Sequence, residues 1–300
     1  MLVKQEKLEN IKVCFVILHY NDLDTTLNCI DSIIKTIVYK NYNIVVVDNA
    51  SPNGSGKILV ERFYDNPVVH ILLNDSNEGF AKGNNLGYDY SKKNLLADFI
   101  VCINNDTLMI QHDFIQQVFL IENEEHCDVL GPDIISKGGI KQNPLRLNRL
   151  KKKEIYQGIM RKSLVVLYLY FKKFFVPIRM IEKKRVQDTT KRMESISNNS
   201  RKNSIENPVL MGACIIFCPQ FVKNEKYAFN PNTKMYGEED LLAEYCYMKS
   251  YRMFFSSNIK IIHLGEMSTN SQKQNSVEKE LFFCKNTLKG LILLLQIKNR

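Results

Sequence analysis

The sequence predicts an α/β protein whose central sheet is mostly parallel and carries helices on both faces, and three observations predict it. Short Val/Ile-rich runs recur up to residue 104. Helix-compatible stretches separate them, which gives the β-α-β alternation of a crossover-connected sheet. The runs are also continuously apolar rather than alternating, as strands buried on both faces require.

Taken in order, VCFVIL (13–18) reads as a strand and 24–36 as a helix. NIVVVD (43–48) is the second strand, followed by the turn NASPNGSG and a helix over 57–64. VVHILL (68–73) precedes a helix over 81–91, and FIVCIN (99–104) precedes one over 113–123. Further on, VLMGACIIF (209–217) is a strand and 236–249 a helix. The acids at 238–240 open that helix, where they suit the positive end of its dipole. MFFSSNIKIIH (253–263) carries one or two strands, and 276–296 is a last helix. In such sheets ligands bind beyond the carboxyl ends of the strands. That directs attention to Asp48, to the loop from Asn74 to Gly79, and to Asn104-Asn105-Asp106.

The 300 residues are 45% hydrophobic and 24% charged, enough for one large or two modest domains and unlike a disordered, collagenous or mucin-like chain. The 8 cysteines lie mostly in apolar runs without a CxxC pair, which points to reduced, buried thiols of a cytosolic protein rather than to a disulfide framework or a zinc cluster. The first residues lack the apolar core of a signal peptide. The longest charge-free run, Asn207 to Val222, is shorter than the ~18 residues of a spanning helix. The expectation is a cytoplasmic protein, at most peripheral on the inner face of the plasma membrane.

The net charge of +9 is concentrated: residues 141–202 hold 18 Lys/Arg against four acids, so everything else is mildly acidic. This divides the chain into 1–140, a basic and partly apolar helical insertion at 141–206, and 207–300. Within the insertion, SLVVLYLYF (163–171) is followed by Lys172, Lys173 and FFVPI. Residues 155–181 suit the interface of an anionic membrane. The next reading is packing on the chain's own domain or on a second subunit of a homo-oligomer. Nucleic acid is disfavoured, because base-stacking aromatics interleave with basic residues instead of clustering in one apolar block. The polar tract at 195–204 reads as a loop.

Two nucleotide motifs fail. The first strand leads into His19-Tyr20-Asn21-Asp22 with no glycine, so the dinucleotide fingerprint is absent. SPNGSGKI departs from a Walker A loop at Ser51 and Ile58. Three acidic clusters at loop positions remain. Asp48 can accept from a base N–H or a ribose hydroxyl, and is also ordinary turn chemistry. Asp106 behind two asparagines suits a hard divalent cation shared with a diphosphate, and also suits a simple cap. Glu238-Glu239-Asp240 offers a carboxylate to deprotonate a hydroxyl, and also plain N-terminal helix charge.

The ordered blocks VVVDNAS, NEGFAKGNNLG, INNDT, MGACIIF, MYGEEDLLAEY and IIHLGEMST resemble the inverting family 2 glycosyltransferases of GT-A fold. Within that family they are most similar to the rhamnosyltransferase-like branch that builds bacterial surface polysaccharides such as capsule and O-antigen. The resemblance spans residues 13 to about 270 and implies a Rossmann-like fold. It implies that Asp48 contacts the donor's base or ribose, and that Asn77, Gly79, Lys82 and Asn85 form the donor-binding segment. It implies that Asp106 is the last acid of a DXD-type motif holding Mg²⁺ or Mn²⁺ on the diphosphate. Asn104 stands at the motif's first position and Asn105 follows it, so the metal grip rests mainly on one carboxylate. His263 matches a histidine near the metal, and Gly212-Ala213 the acceptor side. Asp240 is the first choice of base and Glu239 the second.

The implied reaction moves a sugar from a nucleotide-diphosphate sugar (UDP, dTDP or GDP) to a glycan acceptor, lipid-linked and at the membrane, with inversion. A non-catalytic nucleotide- or membrane-binding module on the same fold is the rival reading. A sugar nucleotidyltransferase is another, although it needs a glycine-rich basic loop after the first strand, which HYND does not supply.

Overall fold

In the computed structural model, which describes residues 10–175, 203–265 and 276–299, the predicted α/β core is present. The first half runs β1 (Val13–His19), α1 (Leu23–Thr36), β2 (Tyr42–Asp48), α2 (Ser55–Arg62), β3 (Val69–Leu73), α3 (Gly79–Lys93), β4 (Phe99–Asn104), β5 (Thr107–Met109), α4 (Phe114–Glu125) and β6 (Val129–Ser136). The second runs α5 (Lys152–Phe175), β7 (Ser204–Glu206), β8 (Cys214–Phe217), α6 (Pro219–Asn224), α7 (Glu238–Met248), β9 (Met253–His263) and α8 (Ser276–Lys298).

Among the described residues these strands form one sheet in the order β3-β2-β1-β4-β8-β6-β9-β5, with β7 beside β9. β3, β2, β1 and β4 are parallel. Beyond β4 the pairing is mixed: β8 is antiparallel to β4 and β6, β6 is parallel to β9, and β5 is antiparallel to β9.

Successive residues of each central strand serve opposite cores, which is why the strands read as unbroken apolar runs. Phe15, Ile17, Ile44 and Val46 pack on Ile30 and Ile33 of α1 and Phe114 and Val118 of α4. Cys14, Val16, Val45 and Val47 face Tyr88 of α3, Phe217 of β8, and Leu242 and Cys246 of α7. All eight cysteines are buried free thiols, and burial pushes those of Cys14 and Cys29 up to about 12.

Three strands go beyond the sequence reading, and their sequences explain why. β5 and β7 are three residues long. β6 has Gly131-Pro132 at its centre, which reads as a turn; the pairing with β9 shifts register there, where a strand tolerates proline. The expected strand 209–217 is confined to Cys214–Phe217. Its first part takes other partners: Val209 exchanges backbone hydrogen bonds with Leu145 and Arg146, and the Met211 N–H donates to Asn143. The span 253–263 is a single strand.

The basic segment expected at 141–206 is joined to the core at its start, through Gln142, Asn143 and Arg146. Its helix α5 then runs antiparallel along α8. Ile155 and Ile159 meet Leu291 and Leu294 at one end, while Val165, Val166 and Leu169 meet Val277, Leu281 and Cys284 at the other. Residues 176–181, the end of the proposed membrane segment, and most of the tract 195–204 lie outside the described residues. Among the described residues no helix is long and apolar enough to cross a membrane.

Candidate active site

The strand ends converge on a polar network. Asp48 closes β2, buried, and its carboxylate accepts from the backbone N–H and hydroxyl of Ser51. The second residue of α2 is Gly56, and any side chain there would strike the Asp48 carboxylate, a Cβ coming within 2.1 Å of Oδ2. His19, at the end of β1, is fully buried 3.9 Å from Asp48. Its Nδ1 meets the Thr26 hydroxyl at 2.7 Å and its Nε2 meets Ser55 Oγ at 2.7 Å. Loss of hydration pushes the His19 pKa down; Asp48 and Asp22 oppose that only in part, so the ring stays neutral near pH 7. The Thr26 hydroxyl donates to the Asp22 carbonyl and accepts from Asn105 Nδ2 at 3.1 Å. Thus β1, α1, the start of α2 and the turn after β4 are held by one chain of side chains.

The donor-segment residues separate into two groups. Asn49, buried beside Asp48, donates to Asn77 Oδ1 and the Gly79 carbonyl and accepts from Asn74 Nδ2 and the Glu78 N–H. Asn77 Oδ1 also accepts from the Gly79 N–H. Gly79 sits at φ +84, where an added Cβ would fall 2.2 Å from the Lys234 carbonyl, so only glycine admits this crossing. Asn77 and Gly79 therefore stand at the strand ends with Asp48. Lys82 and Asn85, further along α3, have other partners. Lys82 pairs with Glu78 at the surface at 2.8 Å. Asn85 is buried and clamps the Phe229 peptide, accepting its N–H at 2.9 Å and donating to its carbonyl at 2.8 Å.

Asp106 and His263 are brought together by the β5–β9 pairing, in which Thr107 lies opposite His263. Asp106 Oδ1 is buried, makes no hydrogen bond and lies 3.2 Å from His263 Nε2. On the other side of the ring, Nδ1 donates to Gln142 Oε1 at 2.8 Å. Metal binding would use the tautomer with the proton on Nδ1, which offers Nε2 beside the carboxylate oxygen. Two electron-pair donors so placed fit adjacent positions around a hard divalent ion, whose octahedral ligands at ~2.1 Å lie ~3.0 Å apart. Among the described residues no third His, Cys, Asp or Glu completes such a set. Diphosphate and water oxygens suit the remaining positions. Asn104 leads into this turn, its N–H donating to the Ala213 carbonyl at 2.9 Å.

On the other side of Ala213 stands the acidic turn of α7. Glu239 lies against Gly212, where a Cβ would come within 3.0 Å of its Oε1. Loss of hydration raises the Glu239 carboxyl above its ordinary range, against the lowering pull of backbone N–H groups and Arg146. Asp240, in contrast, is ion-paired with Arg146. Glu239 and Asp240 open onto a cavity of 320 Å³ whose other walls include Leu145, Tyr236, Phe283, Leu291 and Leu294. Glu238 turns inward and is buried.

Sequence reasoning missed His19, Thr26, Asn49, Gln142 and Arg146. For His19 the signal is present in the sequence: HYND follows the first strand directly, at the edge where ligands bind.

The chain is 29% identical over 145 residues to a dTDP-rhamnosyl transferase, RfbF, of Shigella flexneri, a match covering 46% of each chain. It is 24% identical over 141 residues to the low-salt glycan biosynthesis hexosyltransferase Agl10 of Haloferax volcanii, covering 47% of this chain and 42% of that one. The matched region thus spans less than half the length of these curated relatives. Among solved structures, S. aureus TarS 1–349 in complex with UDP-GlcNAc superposes with a TM-score of 0.55 at 13% identity, over 88% of this chain and 61% of that one. GalNAc-T7 with UDP, GalNAc and Mn²⁺ does so with a TM-score of 0.58 at 13% identity, over 86% and 44%. These likenesses place the fold among the GT-A folds. The family described as Glycosyl transferase family 2 matches residues 14–205, well over half of the chain and the whole run from β1 through the Asp106 turn to β7, and to that family this protein belongs.

Proposed function

We propose that the protein transfers a sugar from a nucleotide-diphosphate donor to a hydroxyl of a glycan acceptor, inverting the anomeric carbon, with Glu239 as the general base. The observation that carries this reading is the placement of Glu239. Its carboxyl has a raised proton affinity, borders an open cleft, and abuts Gly212-Ala213, which is hydrogen-bonded to the strand leading into Asp106. A base that must take a proton near neutral pH is served by such a shift. Asp240 is the weaker candidate, because its carboxylate is engaged by Arg146; its role is to hold Arg146 at the cleft mouth.

In the proposed reaction the donor lies across the strand ends, its nucleoside against Asp48, Asn77 and Gly79. Its diphosphate lies toward Asp106 and His263, which would hold Mg²⁺ or Mn²⁺. When bound, that ion neutralises charge developing on the departing diphosphate. Glu239 accepts the proton of the acceptor hydroxyl as that oxygen bonds to the anomeric carbon. The bond from this carbon to the diphosphate breaks on the opposite side, and the nucleoside diphosphate leaves with the electron pair. Asn104 and Asn105 keep the Asp106 turn in register with β1 and β8.

UDP, dTDP or GDP is the proposed donor nucleotide. The rhamnosyl and hexosyl transferase relatives and the UDP-GlcNAc complex of TarS support this class. The apolar walls of the cleft support a lipid-linked acceptor, and the glycan-biosynthesis and dTDP-rhamnosyl transferase relatives support a part in surface-polysaccharide synthesis. Proton NMR of the first-formed glycoside tests the chemistry: the anomeric coupling should show configuration opposite to the donor's, and retained configuration would overturn it.

A further inference from the structure

We infer that the outer face of α5 docks the protein on an anionic lipid surface. The inner face of this helix is accounted for: Ile155, Ile159, Val166 and Leu169 pack on α8. The opposite face should then be polar, as on an ordinary surface helix. Instead Tyr156, Met160, Leu164, Leu167, Tyr168 and Phe171 are each more than half exposed. At ~100° per residue these six fall within one arc of ~120°, diametrically opposite Ile155 and Leu169. The stripe runs for ~22 Å along the helix. It is one contiguous apolar face, not a scatter of single exposed side chains.

Charge selects the occupant. Lys152, Lys153, Arg161 and Lys172 surround the stripe, and Glu154 is the sole acid of the helix. A second copy packed face to face about a two-fold axis would bring the cations of one helix against those of the other. An anionic membrane surface instead neutralises them while taking up the apolar side chains, the two contributions that hold interfacial helices. The helix is not apolar enough to cross the bilayer, so it lies along the interface. Its partner α8 supplies Phe283, Leu291 and Leu294 to the cleft beside Glu239, which places that cleft one helix away from the lipid.

Sedimentation with mixed phosphatidylcholine/phosphatidylglycerol vesicles, and with phosphatidylcholine vesicles alone, tests this without donor or acceptor. It is therefore independent of the transfer chemistry. The protein should pellet with the mixed vesicles and remain in solution with the neutral ones. Met160→Ser/Leu164→Ser/Leu167→Ser should weaken binding by roughly tenfold or more. Lys152→Glu/Arg161→Glu/Lys172→Glu, which leaves the apolar stripe intact, should abolish it, and both variants should melt as the wild type does. Undiminished binding by the serine variant overturns the inference. So does a wild-type protein that ignores both vesicles and elutes as a dimer which the serine variant dissociates. If the serine variant fails to fold, wild-type binding by the charge variant decides against the inference on its own.

Discussion

Glu238, Glu239 and Asp240 share the first turn of α7, yet their carboxyls meet three different surroundings. Glu238 is buried with Oε1 unpaired, and burial, with the neighbouring Glu239, pushes it up to about 7. Glu239 is raised at the edge of a cleft, and Asp240 is neutralised by Arg146. The cluster alone offered any of the three as a base, and the family resemblance put Asp240 first and Glu239 second; the three surroundings differ through Gly212 and Arg146, which lie far away in the chain. If Glu239 is the base, Glu239→Gln lowers kcat by ~10²–10⁴-fold with donor affinity kept, while Asp240→Asn costs far less. Steady-state kinetics of the two variants checks this. Activity of the wild type should rise with pH on the acid side, along a limb above the ordinary Glu value of 4.5. Glu238 carries a separate pH effect. The folded state holds its proton up to about pH 7, whereas the unfolded chain releases it near 4.5, so burying this group destabilises increasingly between those values. Glu238→Gln should therefore stabilise above pH 7 by at most ~3 kcal/mol, with the gain vanishing below pH 4.5; melts across that range measure it.

At the scale of elements, the site depends on loops held by buried amides. Asn49 fixes the loop from Asn74 to Gly79, and Asn85 fixes the loop that passes through Phe229 toward α7. The strands before the site were legible because each is apolar on both faces, and α3 and α7 because their ends carry glycine or acids. The short β5 and the Gly-Pro-interrupted β6 were not, since neither has periodicity to read and both exist through pairing with β9. Asn85 shows the same limit. Its place in the NNLG block marks it for the donor, while the folded chain uses its amide to hold a peptide 144 residues away. Asn85→Ala should cost ~2–3 kcal/mol by stranding the buried Phe229 N–H and carbonyl. Chemical denaturation should show that loss. Because the Phe229 loop leads into α7, kcat should fall further than donor affinity does.

Across the whole molecule, the sheet joins two halves with different tasks. The parallel strands β1, β2 and β4 gather Asp48, His19 and Asn105 at one edge. The mixed half, through β8, β9 and α7, brings His263 to Asp106 and Glu239 to Gly212. The sequence order of the blocks made the family readable. What makes a site of them is the antiparallel insertion of β8 beside β4, which no local pattern announces. The charge count likewise located the basic segment at 141–202, whereas the structure shows that Arg146 lines the cleft and Arg149 pairs with the buried Glu244. Under the proposed function, one nucleoside diphosphate and a divalent ion bind together at Asp106. The most direct measurement is a thermal-shift panel of UDP, dTDP and GDP, each with and without Mn²⁺ or Mg²⁺, on wild type and Asp106→Asn. At one hundred times its dissociation constant a ligand stabilises by ~2.7 kcal/mol, a readily visible shift in Tm. Joint binding gives a metal-dependent shift with one nucleotide that Asp106→Asn abolishes; no shift with any nucleotide, or one indifferent to metal and to Asp106, rules it out.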